Sequence, residues 1–187
     1  MQNFLKIADG INVLPLQMAL IRQPELFGTR TARKDGYEES PHLQMSDIWV
    51  RYNHPDNLAK GMAEFNAEHD SVWYPEAAKI PEVRAIVMGL MSLVGGERLG
   101  GVLITKIPPG GRIAPHVDRG WHAEYYDKYY VPIQNDEGAI FGFEDGVIKG
   151  RPGEAYWFYN GNPHWVENNS DRDRIALIVC IRTHKGV

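Results

Sequence analysis

The sequence predicts a mainly β protein with helices in its N-terminal part, and two patterns carry that prediction. After residue 96, short apolar segments alternate with turns rich in Gly, Pro and Asn, which is typical of a β-sandwich or a barrel. Before residue 96, apolar residues in two segments recur at the spacing of an amphipathic helix. We therefore expect a β core with helices bracing one of its sheets.

The two predicted helices differ in the strength of their signals. Asn57–His69 places three apolar residues on one face, whereas Pro81–Val94 carries a longer apolar stripe. Pro81 suits the first turn of the second helix, and the two glycines after Val94 suit its end. The stripe contains methionine, but we attribute it to core packing and assign it no cofactor role.

About eight strands are predicted after residue 96, each bounded by turn residues. A further strand is predicted at Asp47–Tyr52, and Gly28–Pro41 has the composition of a long polar loop. The predicted strands of the second half are Leu99–Ile107, Ile113–Val117, Tyr125–Ile133, Ala139–Glu144, Val147–Lys149, Glu154–Tyr159, His164–Glu167 and Arg174–Thr183.

The composition bounds the size, partners and compartment of the protein. No repeat or linker divides the 187 residues, so we expect one domain, helical and looped over about 1–95 and β over about 97–184. The net charge of −4, without clustered Lys and Arg, disfavours nucleic acid and anionic membranes as partners. One cysteine and the lack of a signal-peptide or membrane-spanning pattern predict a cytoplasmic protein. The sequence predicts no oligomeric state.

A candidate metal site begins at His116. Asp118 follows two positions later, and residues two apart in a strand point to the same side. His164, at the start of a distant predicted strand, would complete a facial triad of two histidines and one carboxylate, which leaves positions open for O₂ chemistry at iron. A second His-x-Asp, at His54 and Asp56, is interpreted as a turn opening a helix, with Asp56 near the N-cap.

A buried cation is predicted near this site. Arg174 opens a strand whose two faces are both apolar, so its side chain should point into the interior, where an unpaired charge is costly. An anion must balance it: either a dicarboxylate gripped in a two-point hydrogen-bonded pair or an internal Asp or Glu. Arg172 has the same parity, but it lies between Asp171 and Asp173 and should be solvated.

Three sequence features together resemble the double-stranded β-helix oxygenases that depend on iron and 2-oxoglutarate. They are PPGGRIAPHVD at residues 108–118, GEAYWFYNGNPHWVENNS at residues 153–170, and an Arg ten positions after the second His. Among these enzymes the chain is similar to the aspartyl/asparaginyl β-hydroxylase-like group, which includes free-proline cis-hydroxylases. The similarity covers roughly Leu99–Thr183. It implies a jelly-roll, cupin-like fold and an enzyme that uses Fe(II), 2-oxoglutarate and O₂.

The resemblance also carries site residues over to this sequence. The implied iron ligands are His116, Asp118 and His164, and the implied 2-oxoglutarate residues are Arg174, Lys128, Tyr130 and Thr105. The peptide-aspartyl hydroxylases of the group lack the carboxylate of the triad, whereas Asp118 is present here. This departure favours an amino-acid substrate over a peptide.

The substrate contacts are predicted from position alone. Trp121 and His122 directly follow the first metal strand and would line the mouth of the site. His42, Arg30 and Arg33 lie in the long early loop, where lids often originate, and the two arginines would clamp a carboxylate or phosphate unless they are solvated loop charges. A free amino acid, a peptide side chain, a small metabolite and a nucleobase all remain open as substrates.

Two other function classes compete with the oxygenase. A cupin-type metal enzyme without 2-oxoglutarate would use three histidines and a glutamate, but Glu124 is the sole Glu close to His116. A non-catalytic β-sandwich binding module would use His116 and Asp118 only as hydrogen-bonding groups. A buried Arg174 separates these alternatives, because a binding module has no need of it.

Overall fold

The computed structural model describes residues 2–36 and 39–184, and its strands form two antiparallel sheets. The larger sheet has the order β1-β9-β6-β11-β4-β2-β3, and the smaller has the order β5-β10-β7-β8. The strands are β1 (Phe4–Ala8), β2 (Ser46–Tyr52), β3 (Val72–Trp73), β4 (Gly96–Ile107), β5 (Arg112–His116), β6 (Asp127–Gln134), β7 (Ala139–Phe143), β8 (Gly146–Ile148), β9 (Ala155–Phe158), β10 (His164–Asn168) and β11 (Arg174–Thr183).

The helices fall mainly in the first half of the chain. The α-helices are α1 (Leu14–Arg22), α2 (Ala32–Asp35), α3 (Met62–Phe65), α4 (Glu76–Lys79), α5 (Glu82–Leu93) and α6 (Trp121–Tyr125). Short 3₁₀ helices occupy Pro24–Leu26 and Pro55–Lys60. Helices α1 and α5 contact each other and cover β6 and β4 of the larger sheet.

The alternating side chains of β11 separate two apolar layers. Leu177, Val179 and Ile181 pack with the buried faces of α1 and α5, whereas Ala176 faces the residues between the two sheets. A central strand buried on both faces needs apolar residues at every position, which explains the continuous run in its sequence. The helices therefore close one side of the larger sheet and leave its other side to face the smaller sheet.

The predicted fold class is confirmed: the protein is mainly β, with a jelly-roll arrangement and helices on one sheet. Every strand predicted in the second half is present, with shifts of a few residues at its ends. Tyr125 is an exception, because it ends α6 instead of opening β6. Strand β1 and helix α1 were not predicted from the sequence. Residues 37 and 38 of the predicted loop Gly28–Pro41 lie outside the described residues.

The prediction of one helix over Asn57–His69 is wrong. The segment forms a 3₁₀ helix and then α3, and Gly61 separates them with a φ of 106°. A positive φ of this size interrupts the helical hydrogen-bond ladder, and glycine adopts it without steric cost. His54 occupies the N-cap and accepts from the Asp56 amide, so the predicted cap is displaced by two residues.

Candidate metal centre

The pairing of β5 with β10 brings the two candidate histidines together. His116 and His164 are direct partners across these strands, and their ring centroids are 4.4 Å apart. Asp118 follows β5, where its amide donates to the Asn160 carbonyl at 3.1 Å. The ligand atoms of the three side chains all lie within 4.8 Å of one another. Two segments that are distant in the sequence, one with His116 and Asp118 and the other with His164, thus converge on one point.

Backbone contacts orient both imidazoles toward Asp118. The Nδ1 of His116 lies 2.8 Å from the Ala114 carbonyl, and the Nδ1 of His164 lies 2.9 Å from the Asn162 carbonyl. A carbonyl can only accept, so each Nδ1 carries the proton and each Nε2 keeps its lone pair. The Nε2 atoms lie 3.8 Å and 3.6 Å from the Asp118 carboxylate oxygens. This tautomer leaves the Nε2 of each histidine free to bind a metal.

Burial and neighbouring charges together set the protonation states of the three side chains. Burial lowers the pKa of His164 to about 4 and lowers the pKa of His116. Burial acts to raise the pKa of Asp118, but the nearby Lys128 and His164 outweigh it and hold that pKa below its usual range. At neutral pH the site therefore offers two neutral imidazoles and one carboxylate. This donor set fits a divalent metal with open positions.

Lys128 is the immediate neighbour of the candidate metal site. Its Nζ lies 2.5 Å from Oδ2 of Asp118, and its side chain is 16% exposed. Lys128 belongs to β6 and pairs with Cys180 of β11, which brings its ammonium into the space between the sheets. Sequence reasoning assigned Lys128 to the co-substrate, but its direct contact with Asp118 was not anticipated.

Arg174 lines the same space. It is 3% exposed, and its guanidinium lies 5.1 Å from the ring centroid of Tyr130. Within residues 2–36 and 39–184, no carboxylate forms an ion pair with it, and its Nε has no hydrogen-bond partner. Arg172 is instead exposed and lies 3.6 Å from Asp136. A buried guanidinium with an unpaired donor fits an anionic ligand, because such a group is otherwise costly to bury.

One cavity joins the candidate metal site to Arg174. Its volume is about 490 Å³ including the open mouth, and Phe141, Phe158 and Val166 supply apolar wall. Tyr130 packs behind Arg174 instead of lining the cavity. The lining residues are Arg33, His42, Thr105, Ile113, His116, Asp118, Lys128, Phe141, Phe158, His164, Val166, Arg174, Ala176 and Ile178.

The predicted substrate residues divide into two groups. Arg33, which belongs to α2, and His42 line the cavity. Arg30 does not: its Nε lies 3.2 Å from Glu76, and its guanidinium covers the ring of Tyr74.

Trp121 and His122 also lie outside the cavity lining. They stand in α6 within an aromatic cluster, where Nε2 of His122 accepts from the Gly101 amide at 3.1 Å. Burial lowers the pKa of His122 to about 3, which keeps this acceptor neutral. The structure gives His122 a contact that positions α6 against β4.

Asp47 is the site residue that sequence reasoning missed. It is 3% exposed, accepts from the Thr105 hydroxyl at 2.8 Å and lies 3.2 Å from Nη1 of Arg33. The available signal was a carboxylate inside the apolar strand that became β2, since such a group is seldom buried without a partner. Thr105, predicted near the co-substrate, contacts the cavity and Asp47 together.

Comparison with known proteins places the chain in a family. The profile of the aspartyl/asparaginyl beta-hydroxylase family matches residues 59–183, about two thirds of the chain. The chain belongs to this family. The predicted relationship and the prediction of an oxygenase-class enzyme are therefore confirmed at the family level. No curated protein sequence matches the chain.

Three solved structures with the same fold cover between 76% and 98% of the chain. A Trichoplax adhaerens prolyl hydroxylase in complex with a hypoxia inducible factor peptide fragment has a TM-score of 0.59 at 12% identity, covering 97% of this chain and 83% of its own. The viral collagen prolyl hydroxylase of Paramecium Bursaria Chlorella virus-1, in its 2OG complex, has a TM-score of 0.54 at 13% identity, covering 98% of this chain and 97% of its own. A 2OG-Fe(II) oxygenase family protein of Burkholderia pseudomallei has a TM-score of 0.53 at 11% identity, covering 76% of this chain and 70% of its own. At these identities the likeness shows the fold of this β-hydroxylase family member.

The described part of this family member contains no helix that is long and apolar enough to cross a membrane.

Proposed function

We propose that this β-hydroxylase family member is an iron(II)- and 2-oxoglutarate-dependent dioxygenase. It hydroxylates an unactivated C–H bond of an amino acid, a peptide side chain or a small metabolite. One observation carries the proposal: a His-Asp-His triad and a buried arginine without an ion-pair partner among the described residues line the same cavity. The proposal includes a single oxygenase domain and a cytoplasmic location, as the composition predicts.

His116, Asp118 and His164 would hold the iron. Their Nε2 atoms and carboxylate converge from one side, and the Ala114 and Asn162 carbonyls fix both rings. Bound iron(II) would supply O₂ activation, coupled to the oxidative decarboxylation of 2-oxoglutarate to succinate and CO₂.

Arg174 would bind the distal carboxylate of 2-oxoglutarate. Its guanidinium is planar and matches a carboxylate in a two-point pair, and Tyr130 packs against it to fix its orientation. Lys128 and Thr105 line the same cavity, where their donors would orient the same molecule. Phe141, Phe158 and Val166 give the cavity an apolar wall, which would strengthen these charged contacts.

The competing function classes receive less support. Glu124, the glutamate that a cupin-type site would need, is exposed in α6 and is not part of the cavity lining. A non-catalytic module gives no reason for Arg174 to be buried beside a metal-binding triad.

The proposal is tested by anaerobic addition of Fe(II) and 2-oxoglutarate to the protein. The expected results are a weak visible charge-transfer band and, after O₂ is admitted, succinate release that increases with the correct substrate in an amino-acid and peptide panel. His116→Ala should abolish both, whereas His54→Ala, which alters the other His-x-Asp, should leave both unchanged. An equal effect of the two substitutions, or no band in the wild-type protein, contradicts the proposal.

A further inference from the structure

One loop contacts two of the three candidate metal ligands. The loop joins β9 to β10 and consists of residues 159–163. The Asn160 carbonyl accepts from the Asp118 amide at 3.1 Å, and the Asn162 carbonyl lies 2.9 Å from Nδ1 of His164. The conformation of this loop therefore sets the position of the Asp118 backbone and the rotation of the His164 ring.

A single residue before β1, Asn3, binds this loop near both of its ends. The Asn3 carbonyl accepts from the Tyr159 amide at 2.8 Å, and the side-chain oxygen of Asn3 accepts from Nδ2 of Asn162 at 2.7 Å. Asn3 is only 5% exposed, so water competes little for these hydrogen bonds. The loop is thus held by two contacts to one buried residue.

Asn3 is itself held by the carboxylate of Asp145, in the turn between β7 and β8. The Asn3 amide donates to Oδ2 of Asp145 at 2.9 Å, and its Nδ2 donates to Oδ1 at 2.8 Å. These bonds lower the pKa of Asp145, so the carboxylate is ionised at neutral pH. A carboxylate can then only accept, which directs the side-chain nitrogen of Asn3 toward Asp145 and its oxygen toward Asn162. Both backbone groups and both side-chain polar atoms of Asn3 are therefore hydrogen-bonded.

The contacts of Asn3 continue to the metal site without a gap. Asn3 holds the side chain of Asn162, and the carbonyl of Asn162 orients His164. The next residue of the chain, Phe4, supports the same ligand by packing: its ring centroid lies 5.2 Å from that of Phe143, which stacks on His164 at 6.1 Å. A metal-binding histidine takes its orientation from the partner of its other ring nitrogen, so the support of that partner matters for the metal.

We propose that Asn3 is a positioning residue of the metal centre, which holds the β9–β10 loop in the conformation that directs Nε2 of His164 at the metal. The inference rests on the proposed function, since that function places iron at the triad. Asn3 touches neither the metal nor the substrate and acts through Asn162. Loss of its side chain should weaken metal binding, because partners behind a ligand typically change metal affinity by roughly 10- to 100-fold.

The test measures Zn²⁺ affinity by competition with a chelating dye in the absence of 2-oxoglutarate. Asn3→Ala removes the side-chain bonds to Asn162 and Asp145 but keeps both backbone bonds of Asn3, so the segment before β1 should remain in place. The variant should bind Zn²⁺ about tenfold more weakly than the wild-type protein. The visible absorption of bound Co²⁺, which reports the geometry of the ligands, should change as well.

An exchange of the two partners provides a rescue. Asn3→Asp alone sets two carboxylates against each other and should weaken Zn²⁺ binding as Asn3→Ala does. The double variant Asn3→Asp with Asp145→Asn restores a carboxylate–amide pair at unchanged net charge, and its residue 3 can still accept from Asn162. It should recover the wild-type Zn²⁺ affinity. No recovery in the double variant overturns the inference.

Asn53→Ala is the matched control for the loss of a buried asparagine. Asn53 is 2% exposed and also holds a neighbouring segment, since its Nδ2 donates to the Phe65 carbonyl at 2.9 Å, but it does not line the cavity. Its substitution should lower the melting temperature of the apoprotein and leave the Zn²⁺ affinity unchanged.

The outcomes separate this inference from the proposed function. Wild-type Zn²⁺ affinity in Asn3→Ala, or an equal loss of affinity in Asn53→Ala, overturns the role of Asn3 and leaves the proposed function intact. If His116→Ala binds Zn²⁺ as tightly as the wild-type protein, the triad is not the metal site, and the proposed function and this inference fail together.

Discussion

At the scale of single residues, Lys128 and a metal ion compete for the same carboxylate. The ammonium of Lys128 donates to Oδ2 of Asp118, and a cation bound there must share that oxygen and tolerate the nearby positive charge. Lys128→Met should therefore bind Zn²⁺ about tenfold more tightly in the absence of 2-oxoglutarate. A competition titration against a chelating dye measures this change.

Lys106→Met provides the control for the loss of a lysine. Lys106 lies 3.9 Å from Asp173 and does not line the metal cavity, so its removal should leave the Zn²⁺ affinity unchanged. Unchanged or weaker Zn²⁺ binding in Lys128→Met would show that Lys128 helps to assemble the site instead of competing with the metal.

The buried histidines make the stability of the apoprotein depend on pH. Burial lowers the pKa of His164 to about 4 and that of His122 to about 3, both below the ordinary value of 6.5. At a pH between the folded-state pKa and the ordinary pKa of 6.5, the unfolded chain binds more protons than the folded chain. The contribution of these histidines to the free energy of unfolding is therefore fully present above pH 6.5, and it falls as the pH drops from 6.5 toward the folded-state pKa. Each histidine contributes up to about 1.4 kcal/mol per pH unit there.

His122→Gln isolates one of these contributions. The glutamine oxygen can still accept from the Gly101 amide, but it does not titrate. We expect the free energy of unfolding, measured in urea with a chelator present, to fall less steeply between pH 6.5 and pH 5 than in the wild-type protein. The same slope in both proteins would mean that His122 titrates normally in the folded state.

At the scale of elements, the turn before β9 contacts the segment between β1 and α1. Gly153, before β9, has a φ of 89°, and a Cβ there would lie 2.6 Å from the carbonyl oxygen of Ile11. The Gly153 carbonyl also accepts from the amide of Ile11 at 2.9 Å. Gly153→Ala should therefore cost roughly 2 kcal/mol or more of unfolding free energy, because it combines backbone strain with a backbone clash.

Gly10→Ala separates the two causes. Gly10 has a φ of 75°, but a Cβ there would meet no atom within 4 Å. Its substitution should cost only the strain, about 1 kcal/mol, in urea unfolding. Equal costs at the two positions would show that the segment before α1 moves away from Gly153 freely.

The elements differ in how much of their structure the sequence reveals. The second half was predicted closely because turn residues bound each short strand, and the i, i+2 spacing placed His116 and Asp118 on one side. The short helices of the first half were not predicted closely. The apolar spacing of Asn57–His69 is continuous, but Gly61 divides the segment into a 3₁₀ helix and α3. Strand β1 is five residues long and half exposed, so it carries too little alternation to be recognised.

At the scale of the whole molecule, the apolar layer under the helices and the candidate site lie on opposite sides of the larger sheet. The helices α1 and α5 close one face of the larger sheet with an apolar layer, and the candidate site lies on the opposite side, between the two sheets. The chain is acidic as a whole, with a net charge of −4, yet its cavity is lined by three cations and one carboxylate. Local arrangement, and not net charge, therefore governs which ligands the cavity attracts.

The sequence predicts the site residues that follow a local pattern, and it does not predict contacts between distant segments. The parity of β11 was enough to place Arg174 inside the molecule, because a strand with two apolar faces must be buried. The contacts of Asp47 with Arg33 and Thr105 join segments that are 14 and 58 residues apart, and no local pattern encodes them. Trp121 and His122 follow the metal strand in sequence, but α6 carries them into a different cluster.

The most direct test of the account is the affinity of the Zn²⁺-loaded protein for 2-oxoglutarate, measured by calorimetric titration in two arginine variants. Arg174→Gln removes the buried guanidinium and should weaken binding at least about tenfold, as expected for a lost charge-assisted pair. Arg172→Gln, an exposed change two residues away, should bind like the wild-type protein. Equal affinities in the two variants would contradict the central claim that Arg174 and the triad form one co-substrate site.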